Sequence, residues 1–140
     1  MTAYIALSSC MSTSVASATR VFVVDDDEAV RDSIKTLLEV HGFEVEDFSS
    51  TGEFANSYCK PPRGCLILDQ HLPLTTGLDF LKSPAGRELD IPVILITGQD
   101  DPKIEQRARH AGVAKYLQKP IAEKVLVNTV ERVLGGSLTG

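Results

Sequence analysis

The sequence predicts an α/β fold in which helices cover both faces of a parallel sheet, that is, a doubly wound sheet. From Val21 onwards, short apolar runs alternate with segments of helical spacing, and five such repeats can be counted. Several of the runs are continuous and rich in β-branched residues, as expected of strands covered on both faces. A chain of 140 residues with 43% hydrophobic content can bury one sizeable core but is too short for two ordinary domains. We therefore predict a single (βα)5 domain.

The first repeat places acidic residues at the end of a strand. The run Val21–Val24 is the predicted strand, and it stops abruptly at four consecutive acids, residues 25–28. The next segment carries one apolar stripe of a helix, and Gly42 is its predicted C-terminal cap. The stripe consists of Val30, Ile34, Leu37 and Leu38.

The second and third repeats are read from alternation and from turn residues. Residues 43–48 alternate between apolar and acidic, which suits an edge strand with one wetter face. Ser50 and Glu53 have the spacing of a capping box for a short second helix. Residues 61–64 then end that helix, and Cys65–Leu68 form the third strand.

The last two repeats complete the pattern. Residues 92–96 form the fourth strand, and the short fifth strand contains Tyr116 and Leu117. The third, fourth and fifth helices begin near Gly77, near Pro102 and after Pro120. We place the domain at residues 20–136, between a flexible N-terminal tail at 1–19, which has no charged side chain, and a C-terminal tail at 137–140.

Short right-handed crossovers favour one topology for such a chain, the flavodoxin-like strand order 2-1-3-4-5. Ligands of these sheets bind beyond the carboxyl ends of the strands. We therefore expect the side chains at those ends to converge. They are Asp25, Asp26, Asp69, Thr97 and Lys119.

Three neighbouring carboxylates predict a cation site, because each would otherwise hold its proton against the repulsion of the others. Mg²⁺ takes oxygen ligands and keeps several waters, which suits Asp26 and Asp69 as direct ligands and Asp25 acting through water. Mn²⁺ is the alternative ion. Calcium would require more protein oxygens.

The same residues predict phosphoryl transfer to Asp69. A carboxylate can attack a phosphoryl group to form an aspartyl phosphate, and such transfer depends on positioning and on charge neutralisation. Lys119 can bind one phosphoryl oxygen and Thr97 can donate a hydrogen bond to another. A cis peptide at Lys119–Pro120 would aim the ammonium inward.

These motifs together resemble the receiver domain of bacterial two-component response regulators, over residues 21–134, with a Thr97-Gly98 pair similar to regulators of the nitrogen-fixation type. The matching elements are the acidic pair Asp25-Asp26, Leu68-Asp69-x-x-Leu72-Pro73-x-x-x-Gly77, Ile96-Thr97-Gly98 and Tyr116-x-x-Lys119-Pro120. The resemblance implies that a sensor histidine kinase or a phosphotransfer protein phosphorylates Asp69 and that the shift of Thr97 and Tyr116 reports it to a downstream protein partner.

The resemblance also implies the remaining parts of the site. The backbone carbonyl of His71 joins Asp25, Asp26 and Asp69 around the metal. The reporting surface is formed by the fourth helix, the fifth strand and the fifth helix, through which a homodimer could also form. The His71 side chain is read either as a solvated loop residue or, together with Gln99, as a group that tunes dephosphorylation by contacting the attacking water.

Charge and hydropathy exclude other classes. A net charge of −5 argues against direct nucleic-acid binding. No apolar run is long enough to span a bilayer, and the N-terminus lacks the basic flank of a secretory signal. Three cysteines without a C-x-x-C spacing indicate neither a disulfide framework nor a zinc cluster. We therefore expect a cytoplasmic protein that does not contact the membrane.

Two other functions remain open beside the phosphorylation-dependent switch. The first is a phosphohydrolase that forms the same aspartyl phosphate, although such enzymes carry a second acid where this chain has His71. The second is an inactive receiver used as an interaction module. With 140 − 119 = 21 residues after Lys119, we expect no DNA-binding module there and no enzymatic output, and Tyr116 is read equally as a switch or as core.

Overall fold

The computed structural model of the chain describes residues 19–61, 63–98 and 101–139, so the tail predicted at the N-terminus lies almost entirely outside the described residues. The described residues contain five strands: β1 (Thr19–Val24), β2 (Val45–Phe48), β3 (Arg63–Asp69), β4 (Val93–Thr97) and β5 (Lys115–Gln118). The helices are α1 (Glu28–Val40), α2 (Thr51–Ser57), α3 (Gly77–Lys82), α4 (Pro84–Arg87), α5 (Pro102–His110) and α6 (Glu123–Thr139).

The five strands form one parallel sheet in the order β2-β1-β3-β4-β5, which confirms the predicted flavodoxin-like topology. Val24 lies opposite Leu68, and Leu68 lies opposite Leu95. The three central strands are therefore in register at their carboxyl ends. This register brings the residues that follow them to one edge of the sheet.

The two faces of the sheet bury different side chains. Successive residues of a strand point to opposite faces, so Val21 and Val23 enter an aliphatic core with α1 and α6, whereas Phe22 enters the opposite core. That second core contains edge-to-face aromatic pairs, with ring centroids 5.4 Å apart for Phe22 and Phe54. Each fully buried apolar side chain contributes about 1.5–3 kcal/mol to the free energy of unfolding.

The helix ends carry the predicted capping residues, but one hydrogen bond of the capping box differs from the prediction. Gly42 has a φ of +92°, a left-handed conformation suited to glycine just past the end of α1. Ser50 Oγ accepts a hydrogen bond from Glu53 N at 3.1 Å, as in a capping box. The Glu53 carboxylate, however, accepts from Ser49 N at 3.0 Å rather than from Ser50 N. The prediction was therefore half right, because the Glu53 carboxylate binds the residue that precedes the N-cap.

Several boundaries differ from the prediction. Strand β1 begins at Thr19 and helix α6 continues to Thr139, so regular structure extends beyond residues 20–136 at both ends. The short helix α4 was not predicted, although Ser83 followed by Pro84 is an N-cap signal that could have indicated it.

Two further findings concern the predictions made about membrane spans and cysteines. Within the described part of the chain, no helix combines the length and apolar character needed to cross a membrane. Cys65 is a free, buried thiol, whereas Cys59 is disulfide-bonded. The number and spacing of the cysteines did not predict that Cys59 is disulfide-bonded.

Candidate functional site

The carboxyl end of β1 presents Asp25 to the site. Its side chain is fully buried, and its Oδ1 accepts a hydrogen bond from Asp27 N at 2.9 Å. Asp27 in turn caps α1 by accepting from the backbone of Ala29 at 3.0 Å. Arg31 Nη1 donates to the backbone carbonyl of Asp25 at 2.8 Å. The start of α1 thus fixes the backbone on which the acidic pair lies.

The carboxyl end of β3 holds Asp69, which is only 2% exposed. Its Oδ1 accepts a hydrogen bond from His71 N at 3.2 Å. A Cβ at Gly77 would lie 2.8 Å from the Asp69 carbonyl oxygen, so the loop after β3 can close this tightly only with glycine at that position. Gln70, which sequence reasoning missed, is buried and accepts from Leu78 N at 2.9 Å through Oε1.

Thr97 and Lys119 come from β4 and from the turn after β5. Thr97 is fully buried, and its carbonyl accepts a hydrogen bond from Lys119 N at 2.7 Å. The Lys119–Pro120 peptide is cis, the isomer considered above as one that would aim the ammonium inward. Lys119 Nζ lies 3.0 Å from Asp25 Oδ2 and 3.5 Å from Asp69 Oδ2. One ammonium therefore bridges two buried carboxylates from different strands.

Burial and charge make this site electrostatically unbalanced. Burial and the neighbouring Asp25 carboxylate raise the pKa of Asp69, against the opposing effects of the His71 N–H and of Lys119. Burial acts to lower the pKa of Lys119, but the hydrogen bond and charge of Asp25, with those of Asp69, outweigh burial and raise it. The site therefore favours an additional positive charge.

The donor set agrees with a hard divalent cation. Carboxylate oxygens of Asp25, Asp26 and Asp69 all lie within 4.8 Å of one another. Asp25 and Asp69 are buried, whereas Asp26 is exposed to solvent. A set made only of carboxylate oxygens, open to water on one side, matches the preference of Mg²⁺.

Four of the predicted site residues form one cluster, and Tyr116 lies against the aromatic core. The structure brings Asp25, Asp26, Asp69 and Lys119 together. Tyr116 is half-buried and packs against the aromatic core, which leaves its predicted role as a switch untested.

The contact made by His71 was not anticipated from the sequence. The residue is exposed to solvent, as expected in a loop, yet its Nε2 shares a hydrogen bond of 3.0 Å with Thr97 Oγ1. No sequence signal links residues so far apart, because the contact depends on the pairing of β3 with β4. Gln99, the predicted companion of His71, lies outside the described residues.

Known proteins resemble this chain in both sequence and fold. The transcriptional regulatory protein FixJ of Azorhizobium caulinodans is 35% identical over 117 residues, which cover 84% of this chain and 56% of that protein. A response regulator receiver protein structure from Burkholderia phymatum superimposes with a TM-score of 0.71 at 36% identity, covering 84% of this chain and 95% of that one. The beryllofluoride-activated NtrC4 receiver domain dimer gives a TM-score of 0.74 at 25% identity, covering 84% and 97%.

The family match covers nearly all of the sheet and the residues of the candidate site. The chain spans about half the length of the curated relatives that it matches, which include FixJ, TodT and nodulation protein W. The family model of the response regulator receiver domain matches residues 21–131, from β1 into α6. With the sheet order, the buried acids and the bridging lysine in place, the chain belongs to the receiver domain family of two-component response regulators.

Proposed function

We propose that the chain accepts a phosphoryl group on Asp69 from a sensor histidine kinase or a phosphotransfer protein and switches conformation in response. The observation that carries this proposal is the bridge from Lys119 Nζ to Asp25 and Asp69, at 3.0 and 3.5 Å. A buried carboxylate beside an ammonium and two further acids has both the nucleophile and the charge neutralisation that phosphoryl transfer needs.

Each residue has a proposed part in the transfer. An Asp69 carboxylate oxygen forms a bond to phosphorus while the bond from phosphorus to the donor breaks, and the donor leaves with the electron pair. Lys119 binds one oxygen of the transferred group, and Thr97 donates a hydrogen bond to another. Because the Lys119 ammonium already lies against Asp69, little rearrangement of that side chain is required.

The proposed cation is Mg²⁺, with Mn²⁺ as a substitute. Asp26 and Asp69 would bind it directly, Asp25 through water, and the His71 carbonyl would complete the protein ligands. When bound, the ion would neutralise carboxylate and phosphoryl charge. Asp26 suits direct binding because it is exposed, whereas Asp25 already accepts from Lys119 Nζ and Asp27 N.

The switch requires several contacts acting together. Moving a two-state population from 1:99 to 99:1 takes about 5.5 kcal/mol of differential stabilisation. A hydrogen bond to a charged group contributes only about 1.5–3 kcal/mol. Thr97, Lys119 and a rearranged Tyr116 would therefore share the effect. The output would be binding of a downstream protein rather than catalysis, in a cytoplasmic setting.

The phosphodonor would dock beside Lys119. An apolar groove of about 610 Å³ opens there between α1 and α6. A partner helix in this groove would bring a phosphohistidine close to Asp69, since Lys119 lines the groove and contacts Asp69. The apolar lining includes Val30, Ile34, Leu37, Ile121 and Leu126.

One substitution tests the docking proposal independently of the phosphoryl-transfer chemistry. Ser33 is exposed and lines the groove, so Ser33→Trp should slow transfer from a phosphorylated histidine phosphotransfer protein but not from acetyl phosphate. Thr36→Trp, on the same helix but outside this groove, is the matched control. Equal transfer rates for both variants would place docking elsewhere.

A homodimer through α5, β5 and α6 is proposed for the phosphorylated form. The support is that the NtrC4 receiver domain, which matches this chain over 84% of its length, is a dimer when activated with beryllofluoride. Sedimentation with and without beryllofluoride and Mg²⁺ tests this proposal. An unchanged sedimentation coefficient would argue against phosphorylation-dependent dimerisation.

The function itself is tested by intact mass after incubation with acetyl phosphate and Mg²⁺. We expect a gain of one phosphoryl group that is lost in Asp69→Asn and retained in Asp79→Asn, because Asp79 is an exposed carboxylate on α3. Steady release of phosphate at enzymatic turnover would favour a phosphohydrolase. No mass gain with any donor would favour an inactive receiver.

A further inference from the structure

The loop after β3 makes a second connection to β4, beyond the strand pairing itself. Asp69 is in register with Ile96, so the chain leaving β3 passes beside the end of β4. There, His71 Nε2 and Thr97 Oγ1 lie 3.0 Å apart. The backbone N–H of His71 meanwhile donates to Asp69 Oδ1 at 3.2 Å. One loop residue thus contacts both the proposed phosphoacceptor and the proposed switch residue.

The two ends of the His71–Thr97 contact are in different environments. Thr97 is fully buried, and its backbone is held by the pairing of β4 with its neighbours. His71 is exposed on a loop without regular secondary structure. The imidazole is therefore the side of this contact that can be changed with little effect on the core.

We propose that His71 holds the Thr97 hydroxyl in the unphosphorylated protein and so opposes the movement of Thr97 onto a phosphoryl group at Asp69. This inference rests on the proposed function, because it assigns His71 a part in that same switch. The imidazole can hold the Thr97 hydroxyl in either tautomer, by donating to its oxygen or by accepting its proton. The Thr97 side chain must leave its present hydrogen-bonded position to reach a phosphoryl oxygen, and the broken contact with His71 raises the cost. The His71 imidazole acts through Thr97 and is a positioning group, whereas the backbone N–H of the same residue contacts Asp69.

The size of the effect follows from the type of contact. A hydrogen bond between neutral groups contributes about 0.5–1.5 kcal/mol net, which corresponds to a factor of about two to ten in an equilibrium constant. Removing the imidazole should therefore tighten the binding of a phosphoryl analogue by about twofold to tenfold. The sign distinguishes this role from a merely structural one, since a damaged loop would weaken binding.

The experiment measures beryllofluoride affinity in the presence of Mg²⁺ by ¹⁹F NMR for a double-mutant cycle. We expect His71→Ala to bind about twofold to tenfold more tightly than wild type, and His71→Gln, which keeps a hydrogen-bonding group, to bind more nearly like wild type. In a Thr97→Ala background, His71→Ala should have no effect, because the contact is already absent. Weaker binding, or the same change in both backgrounds, would overturn the inference.

A second measurement tests the contact without any ligand. The ¹⁵N shift of His71 Nε2 should change on Thr97→Ala in the unligated protein, and an unchanged shift would show that the contact does not form. If wild type binds no beryllofluoride while the ¹⁵N shift does change, the proposed function fails although the contact exists. If wild type binds and the cycle shows no coupling, the inference about His71 fails alone.

Discussion

Two clusters of similar composition lie at opposite ends of the sheet, and each places one cation between two carboxylates. Near the amino ends, Arg20 contacts Glu44 at 3.2 Å and Glu46 at 2.8 Å. At the carboxyl ends, Lys119 contacts Asp25 at 3.0 Å and Asp69 at 3.5 Å. Distances alone would make the first cluster the stronger one.

Exposure separates the two clusters. The side chains of Glu44 and Glu46 are 46% and 41% exposed, whereas those of Asp25 and Asp69 are 0% and 3% exposed. Water stabilises the first pair whether or not the cation is present. The second pair depends on its cation, because removal of one partner leaves buried charge without compensation. Burial of like charges, rather than the number of ion pairs, therefore marks the candidate functional end of the sheet.

The largest expected effect comes from removing each cation in turn. Lys119→Met should lower the free energy of unfolding by roughly 2–3 kcal/mol, below the about 3–5 kcal/mol of fully buried pairs, since Lys119 is partly exposed. Arg20→Met should cost about 1 kcal/mol or less, because its partners stay hydrated. Urea denaturation of both variants at neutral pH and without Mg²⁺ checks the difference. Similar losses would contradict the comparison.

A second test moves Asp69 without changing any charge. Gly77→Ala would place a Cβ 2.8 Å from the Asp69 carbonyl oxygen and 2.9 Å from Leu95 Cδ1. Such overpacking should cost about 1–3 kcal/mol of stability and displace the strand end. Phosphorylation of Gly77→Ala by acetyl phosphate should slow as well.

Gly98 provides the control for that test, since no atom of the residues that the structure describes lies within 4 Å of a Cβ built there. Gly98→Ala should change stability by no more than about 0.5 kcal/mol. Denaturation and phosphorylation rates measured side by side would separate a general effect of alanine from a specific displacement of Asp69. Equal stability of the two variants would show that the loop after β3 accommodates the extra methyl group.

A third test removes one carboxylate from each cluster and should give opposite signs. In metal-free buffer, Asp69→Asn should raise the free energy of unfolding by about 1–2 kcal/mol, because it relieves repulsion with Asp25. Two like charges 4 Å apart cost about 4 kcal/mol at an effective dielectric of 20, and Lys119 already offsets part of that. Glu46→Gln should instead lower stability, by about 0–1 kcal/mol.

Mg²⁺ should oppose the stabilising effect of Asp69→Asn, which extends the same test. With Mg²⁺ present, wild type should gain stability by binding the ion and Asp69→Asn should gain less. Thermal melts with chelator and with Mg²⁺ measure both effects. A destabilised Asp69→Asn in chelator would show that repulsion is not the dominant interaction at the carboxyl end of the sheet.

Much of the difference between the amino and carboxyl ends of the sheet could be predicted from the sequence. Continuous apolar strands followed by acids gave the sheet order and the convergence of Asp25, Asp69 and Lys119, because the carboxyl ends of parallel strands share one edge. Side-chain contacts made across loops could not be predicted. The hydrogen bond between His71 and Thr97 depends on a rotamer, and the buried Gln70 is fixed only once the loop closes on Gly77.

The smallest expected effect concerns Arg31, which hydrogen-bonds to the backbone of Asp25. Arg31 Nη1 donates to the Asp25 carbonyl at 2.8 Å while its Nε donates to Asp47 at 3.0 Å. Groups that orient metal ligands typically change metal affinity by about tenfold to a hundredfold when removed. Since Arg31 acts on the backbone of Asp25 rather than on its carboxylate, we expect Arg31→Met to weaken Mg²⁺ binding by only about threefold to tenfold.

Lys35 is the matched control because its Nζ lies 3.4 Å from the same Asp47 carboxylate. No hydrogen bond from Lys35 to Asp25 is found among the described residues. Lys35→Met should therefore leave the Mg²⁺ dissociation constant unchanged in an amide NMR titration that follows the shifts of Asp25 and Asp26. Equal weakening in both variants would mean that charge near Asp47, rather than the bond to the Asp25 carbonyl, supports the site. If Mg²⁺ binding weakens in Arg31→Met alone, the hydrogen bond to the Asp25 carbonyl supports the metal site. The difference between the two ends of the sheet then includes the groups that hold the backbone of the acidic residues.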